Sequence, residues 1–195
     1  MTADERALTK KGETTRERIV AAARSMLLDR GYDGLVLREL AESLDIKLGN
    51  LQYYFATRED LALHVLSLEG ARDALLIEDS RETCDPHDAL RLVVRDMVVR
   101  YRGESGRLLL MISALAQHHE AFRTLYSDSY AGFYPPFEAL IGAVNPELSP
   151  GETAMRARLI NALVEGSSFQ VLVDDLDAYI DRVVAEAEAI ARRQR

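Results

Sequence analysis

Two short runs, 37–44 and 48–55, each place apolar residues at helical spacing, and only Asp45, Ile46 and Lys47 separate them. Three residues allow a sharp turn and little else. Leu40, Ala41, Leu44, Ile46 and Leu51 supply the faces that lock one short helix onto the other. Gly49, Asn50, Gln52 and Tyr53 then face outward, and each is small or hydrogen-bonding. This is the pattern of a helix-turn-helix, in which the first helix packs so that the second offers a polar face to the DNA major groove. Asn and Gln can grip an adenine edge with two hydrogen bonds, and glycine lets the backbone approach the duplex. Spacing alone does not settle the matter, because two short amphipathic helices joined by a turn also occur in all-helical proteins that never meet DNA.

The remainder of the chain also reads as helix. Thr14 with Glu17 has the form of a capping box, and the helix it opens aligns Ile19, Ala22, Ala23, Met26 and Leu27 before Gly31 ends it. Thr57 with Asp60 repeats that form and opens a long helix through Leu61, Val65 and Leu68. Asp85-Pro86 starts a helix to Arg102, and Gly103 to Gly106 breaks it. Further helices are expected over 107–117, over 120–144 with a break or kink at Pro135-Pro136, from Ser149-Pro150 to about residue 174, and over 177–193. The sum is an all-α chain of nine or ten helices, with no alternating strand pattern and no repeats.

Composition sets limits on partners. The 195 residues carry a net charge of −8, which is awkward for a chain that binds DNA. The charge is uneven: residues 1–66 hold 10 Lys/Arg against 11 Asp/Glu, and residues 67–195 hold 14 against 21. The N-terminal part is therefore near neutral, and a few well-placed cations can still make a local positive face. No apolar run is long enough to cross a bilayer, so no membrane partner is expected. The charged N-terminus lacks the apolar stretch of a signal peptide, and a cytoplasmic location is expected. The single cysteine, Cys84, fits a reducing compartment.

The stretch Thr15–Leu66 resembles the DNA-binding domain of the tetracycline-repressor (TetR) family. The resemblance rests on Thr15-Arg16-Glu17-Arg18-Ile19, Gly31-Tyr32, Arg38-Glu39-Leu40-Ala41, Gly49-Asn50-Leu51-Gln52-Tyr53-Tyr54-Phe55, Arg58 and Leu61, all in the family's order. More loosely, Ala162-Leu163-Val164-Glu165-Gly166 followed by Gln170 resembles the penultimate helix of the family's ligand and dimer domain. The resemblance implies a DNA-binding domain over 13–73 and a helical effector-binding and dimerisation domain over 74–195. It makes 48–54 the recognition helix, opened by Leu48 and Gly49. Lys47, Asn50, Gln52 and Tyr53 would contact bases or nearby phosphates. Tyr54 and Arg58 would hold the DNA backbone, and Arg38 the flanking phosphates. The chain departs from the family pattern at four places, one of them Gln52, where a Tyr is common. Val36 stands where a Thr or Ser normally caps the second helix, Asp45 replaces the glycine of the turn, and the basic residue opening the recognition helix is shifted by one to Lys47.

Several residues carry two readings. Tyr54 serves core or phosphate equally well, Phe55 reads as core, and Arg38 and Arg58 also fit plain surface charges. His118-His119 with Glu120 has the look of a metal patch, but neighbours on a helix do not share a face; no metal or cofactor is expected. Met97, Tyr101, Met111, Tyr126, Tyr130 and Phe169, with His118, form a candidate effector pocket, apolar with phenol hydroxyls as polar handles. That lining would suit a small apolar or aromatic effector. Leu159, Leu163 and Leu172 on one late helix, and Ile180, Val184 and Ala187 on the next, are the candidate dimer interface, two helices per subunit making a four-helix bundle. The expected protein is a homodimeric regulator, a repressor on a near-palindromic operator, released by its effector; the long helix from Thr57 would be the lever. The alternative is an architectural DNA-binding protein of the same fold with no effector. No catalytic constellation stands out, so an enzyme is not expected.

Overall fold

The computed structural model describes residues 10–169 and 175–193. Among them are nine α-helices and no strand. They run α1 (Lys10–Arg30), α2 (Leu37–Ser43), α3 (Leu48–Tyr54), α4 (Arg58–Thr83), α5 (Pro86–Tyr101), α6 (Glu104–Ala116), α7 (Glu120–Val144), α8 (Pro150–Ser167) and α9 (Leu176–Arg192). The chain forms two compact units, one ending at Leu66 and the other beginning at Ser67.

In the first unit α1 begins earlier than the sequence suggests. Thr14 lies one turn inside it, not at its start. Ile19, Ala23 and Leu27 are buried, and Ala22 and Met26 are half-buried beside them. Gly31 ends the helix with φ of 72°, a left-handed conformation that glycine adopts without cost. Val36 occupies the N-cap of α2 and its side chain makes no capping bond. Leu40 and Ala41 of α2, and Leu51 of α3 with Phe55 just beyond it, are buried. The turn between α2 and α3 passes through Asp45 at φ 53°, the non-glycine residue with positive φ among those described. Asp tolerates this region better than most side chains, though less well than Gly. Thr57 and Asp60 cap α4 reciprocally: each backbone N–H donates to the other's side-chain oxygen at 3.0 Å.

In the second unit the caps read from the sequence are present. Asp85 accepts from the His87 N–H at 2.9 Å with Pro86 at the first helical position, and Ser149 accepts from Glu152 at 3.3 Å ahead of Pro150. The core is built on α5, whose stripe Val93, Val94, Met97, Val98 and Tyr101 is buried with Phe137, Leu140 and Ile141 of α7, Ile160 and Val164 of α8, and Val183, Val184 and Ala187 of α9. α5 and α6 meet at a corner that needs glycine: a Cβ on Gly106 would lie 1.7 Å from the Tyr101 carbonyl oxygen. α7 continues through Pro135-Pro136 as one helix. α8 ends at Ser167, short of residue 174, whose surroundings lie outside the described residues. The hydroxyls of Ser167 and Ser168 bond back to the carbonyls of Val164 and Glu165 at 2.5 and 2.6 Å, the kind of local bond that competes with helix continuation.

One charged side chain does structural work here. Arg156 is buried, pairs with Glu152 at 3.0 Å, and donates to the carbonyls of Ile190 and Ala191 at 3.1 and 3.0 Å. It satisfies oxygens that the end of α9 leaves without helical partners. Replacing it strands the Ile190 carbonyl and leaves that of Ala191 only the 3.5 Å bond from Asn145 Nδ2. Arg156→Ala is expected to cost about 3 kcal/mol in a urea melt, whereas Arg158→Ala, at an exposed pair, should leave the midpoint nearly unchanged. In the first unit, Asp45→Gly is expected to raise stability by about 0.5–1 kcal/mol and Asp45→Val to lower it, both read from the melting of a fragment-independent probe such as amide exchange at Leu40 and Leu51.

Candidate nucleic-acid interface and ligand cavity

The short helix α3 buries one side and exposes the other. Leu51 and Phe55 point inward, while Lys47, Leu48, Gly49, Asn50, Gln52 and Tyr53 are exposed. Tyr53 is 64% exposed and meets the half-buried Tyr54 edge-on, with ring centroids 5.2 Å apart. Apart from that contact the ring faces solvent. Among the described residues, Lys47, Asn50, Gln52 and Tyr53 form no side-chain hydrogen bond within the chain, so their donors and acceptors remain available. The unit holds this helix from behind. Arg18 donates to the Leu44 carbonyl at 3.2 Å, fixing the end of α2, and the Arg16 guanidinium lies 5.2 Å from the Phe55 ring. Phe55 also packs against His64, 5.4 Å away, whose pKa is lowered first by burial and then by Arg16.

The two arginines assigned to phosphates differ. Arg38 is exposed on α2, its side chain 3.7 Å from the Glu42 carboxylate. Arg58 is turned back on its own unit. Its guanidinium lies over the Tyr32 ring at 4.3 Å, donates to the Asp33 carbonyl at 3.4 Å, and sits 3.8 Å from the Asp33 carboxylate. Arg58 thus clasps the start of α4 to the turn after α1, a role that sequence spacing did not reveal because Asp33 lies 25 residues upstream and Tyr32 just before it.

In the second unit a cavity of about 210 Å³ opens among α4, α5, α6, α7 and α8. Four of the residues assigned to an effector pocket line it: Tyr101, Tyr126, Tyr130 and Phe169. Three do not. Met97 is fully buried in the core on the same stripe of α5 as Val93 and Val94, Met111 is half-buried outside the lining, and His118 is exposed in the turn after α6. Sequence reading missed the polar lining, namely Asp73, Asn161 and Glu165. Asp73 is 3% exposed and takes hydrogen bonds from Arg100 and from the Tyr101 hydroxyl. Glu165 takes them from the Tyr130 hydroxyl and from Asn161 Nδ2 at 3.0 Å. The available signal was a lone acid, Glu165, inside the otherwise apolar run 162–166. The phenols form a row: Tyr126 meets Tyr130 edge-on at 4.8 Å, and Tyr130 stacks on Tyr134 at 5.6 Å.

The residues assigned to a dimer interface separate by face. Leu159 is 51% exposed, and so is its neighbour one turn earlier, Met155, at 56%. Leu163 is half-buried against the core. Ile180, Val184 and Ala187 are buried inside the subunit. The assignment of those three to a partner surface is corrected: α9 uses its apolar stripe on α5 and α8, and a residue already packed at home has no area left to bury. Leu172 lies outside the described residues.

Known proteins share this architecture. Residues 19–65 match the family described as bacterial regulatory proteins, tetR family, and residues 86–194 match the BetI-type transcriptional repressor C-terminal family. The HTH-type transcriptional regulator PksA of Bacillus subtilis is 22% identical over 176 residues, spanning 88% of this chain and 85% of that protein. A TetR transcription regulator from Haloarcula marismortui has the same fold, with a TM-score of 0.75 at 22% identity over 92% of this chain and 97% of its own. So does a transcriptional regulator from Saccharomonospora viridis in complex with choline, with a TM-score of 0.71 at 19% identity over 94% and 100%. One match covers the helix-turn-helix and the other more than half of the chain, on the all-helical framework described above. The chain therefore belongs to the TetR family, as a DNA-binding transcriptional regulator.

Proposed function

We propose that this regulator is a homodimeric repressor that holds a near-palindromic operator through residues 47–54 and lets go when a small molecule fills the cavity behind Tyr126 and Tyr130. The observation that carries the DNA part is the two-sidedness of α3: Leu51 and Phe55 are buried while Lys47, Asn50, Gln52 and Tyr53 stand in solvent with unused hydrogen-bonding groups. In this reading Asn50 and Gln52 read base edges, and Tyr53, Lys47 and Arg38 serve bases or phosphates. Leu48 and Gly49 let the start of the helix approach the groove, and Tyr54 contacts the DNA backbone. Arg58 acts by holding the domain together.

The division of labour is a reading head over 13–73 and a sensing and pairing part over 74–195. The cavity supports a sensor, since a part that served pairing alone would have a filled interior. The choline complex of the Saccharomonospora relative supports a small-molecule site in this fold. Control by the ligand follows from linkage. A molecule that prefers a conformer unable to span two half-sites lowers operator affinity by the ratio of its two affinities. The exposed pair Met155 and Leu159 of α8, with Ala162 one turn on, supports pairing through that face.

Selection from a randomised duplex pool tests the DNA reading. The wild type is expected to enrich a palindrome. The triple variant Asn50→Ala, Gln52→Ala, Tyr53→Ala alters exposed positions only, so it should keep the wild-type melting curve and lose enrichment by about a hundredfold or more. Enrichment that survives the triple change would move the reading face elsewhere. Pairing is tested separately. Leu159→Glu is expected to halve the mass seen by light scattering and to abolish binding to the full operator with it; a dimer that persists would show that α8 is not the pairing face.

A further inference from the structure

The direction of the cavity's hydrogen-bond donors decides what it can hold. The Tyr101 hydroxyl donates to Asp73, the Tyr130 hydroxyl to Glu165 Oε1, and the Tyr126 hydroxyl to the Tyr130 oxygen at 3.3 Å. Ser129 Oγ donates to the Leu125 carbonyl at 2.8 Å, and Ser168 Oγ to the Glu165 carbonyl at 2.6 Å. Each of these donors is spent on a protein acceptor; of the lining hydroxyls described, Ser113 alone has no such acceptor. What they leave facing the cavity is lone pairs and ring faces. Burial, reinforced by the neighbouring carboxylates, pushes the Tyr101 and Tyr130 phenols well above their ordinary range, so both keep their protons and go on donating. A carboxylate or phosphate ligand would be poorly matched here.

The two acids in the lining are unequal. Asp73 has a guanidinium on one oxygen and a phenol on the other, so its charge is balanced and both oxygens are occupied. Glu165 receives two neutral donors, Tyr130 and Asn161, and both go to the same oxygen, Oε1. Among the described residues no Lys, Arg or His pairs with Glu165, and its Oε2 accepts no hydrogen bond. The nearest basic side chain along α8, Arg158, is committed to the Tyr134 ring at 4.5 Å and to Glu138 at 3.0 Å. The cavity thus holds one carboxylate without a counter-charge, beside the phenol rings of Tyr126 and Tyr130. A carboxylate drawn out of water gains most from a cation, and aromatic faces add to that attraction.

We propose that the effector is an organic cation with an apolar body, an ammonium held against Glu165 Oε2 and the Tyr126 and Tyr130 rings. This rests on the reading of the cavity as the effector site. It narrows that reading from a small apolar or aromatic molecule to one that carries a positive charge.

The charge can be tested apart from the shape. Benzylammonium and benzyl alcohol share a ring, a methylene and nearly the same size, and differ in charge. Titrated calorimetrically into the full chain at pH 7, benzylammonium is expected to bind about tenfold tighter or more. Glu165→Gln keeps the volume and the hydrogen bonding while removing the charge; in a variant with an unchanged melting curve the ratio is expected to fall close to one. Equal or tighter binding of benzyl alcohol to the wild type would overturn the charge assignment and leave the effector cavity standing. A preference that survives in Glu165→Gln would overturn the assignment to Glu165. Binding of neither probe at millimolar concentration would overturn both this proposal and the effector reading beneath it.

Discussion

The ion pair between Asp73 and Arg100 is nearly out of water, and much of the C-terminal unit is arranged around it. The two side chains are 4% and 10% exposed. Such a pair is costly to bury, and what it returns is register. It fixes one turn of α4 against one turn of α5, with Asp96 steadying the guanidinium from the preceding turn and Tyr101 closing the other carboxylate oxygen. Because Tyr101 is held from one side, its ring becomes a fixed wall of the cavity. Gly106 then lets α6 leave α5 at once, close against the Tyr101 backbone, and this brings Leu109, Ile112 and Ser113 to the same space.

Local chemistry was the part of the fold that could be read in advance. Caps and breakers act over three or four residues, so Thr57 with Asp60, Asp85-Pro86, Ser149-Pro150 and Gly31 all do in the structure what their spacing implies. The missing cap at Val36 and the left-handed Asp45 were legible for the same reason. Thr14 misled because the spacing of a capping box also fits inside a helix. Long-range partners were not legible. Nothing in the spacing ties Arg58 to Tyr32, or Arg156 to the last carbonyls of α9, since those contacts depend on how helices far apart in sequence meet.

The same limit explains the cavity and the pairing face. Apolar periodicity says that a helix has a buried side; it does not say what buries it. On α8 two apolar sides exist, Ala157, Ile160 and Val164 facing the core and Met155, Leu159 and Ala162 facing out. On α9 the strong stripe is used within the subunit, and sequence alone could not separate that from use against a partner. For the cavity, the aromatic residues singled out from the sequence, Tyr101, Tyr126, Tyr130 and Phe169, do line the space. Methionines were misleading, since Met97 is as good a core filler as a ligand contact.

The double proline in α7 bears on how the cavity wall yields. Pro135 and Pro136 have no N–H to offer the carbonyls of Ala131 and Gly132, so two consecutive rungs of the helix ladder are missing. Both carbonyl-bearing residues are exposed, and water can satisfy the oxygens. The helix is therefore mechanically softest directly after Tyr130, while its C-terminal half, with Phe137, Leu140 and Ile141, is anchored in the core. A bend there has two main-chain hydrogen bonds fewer to strain than elsewhere in the helix. The thinnest part of the α7 ladder thus lies between the phenols of Tyr126 and Tyr130, which line the cavity, and the residues Phe137, Leu140 and Ile141 that seat the helix in the core.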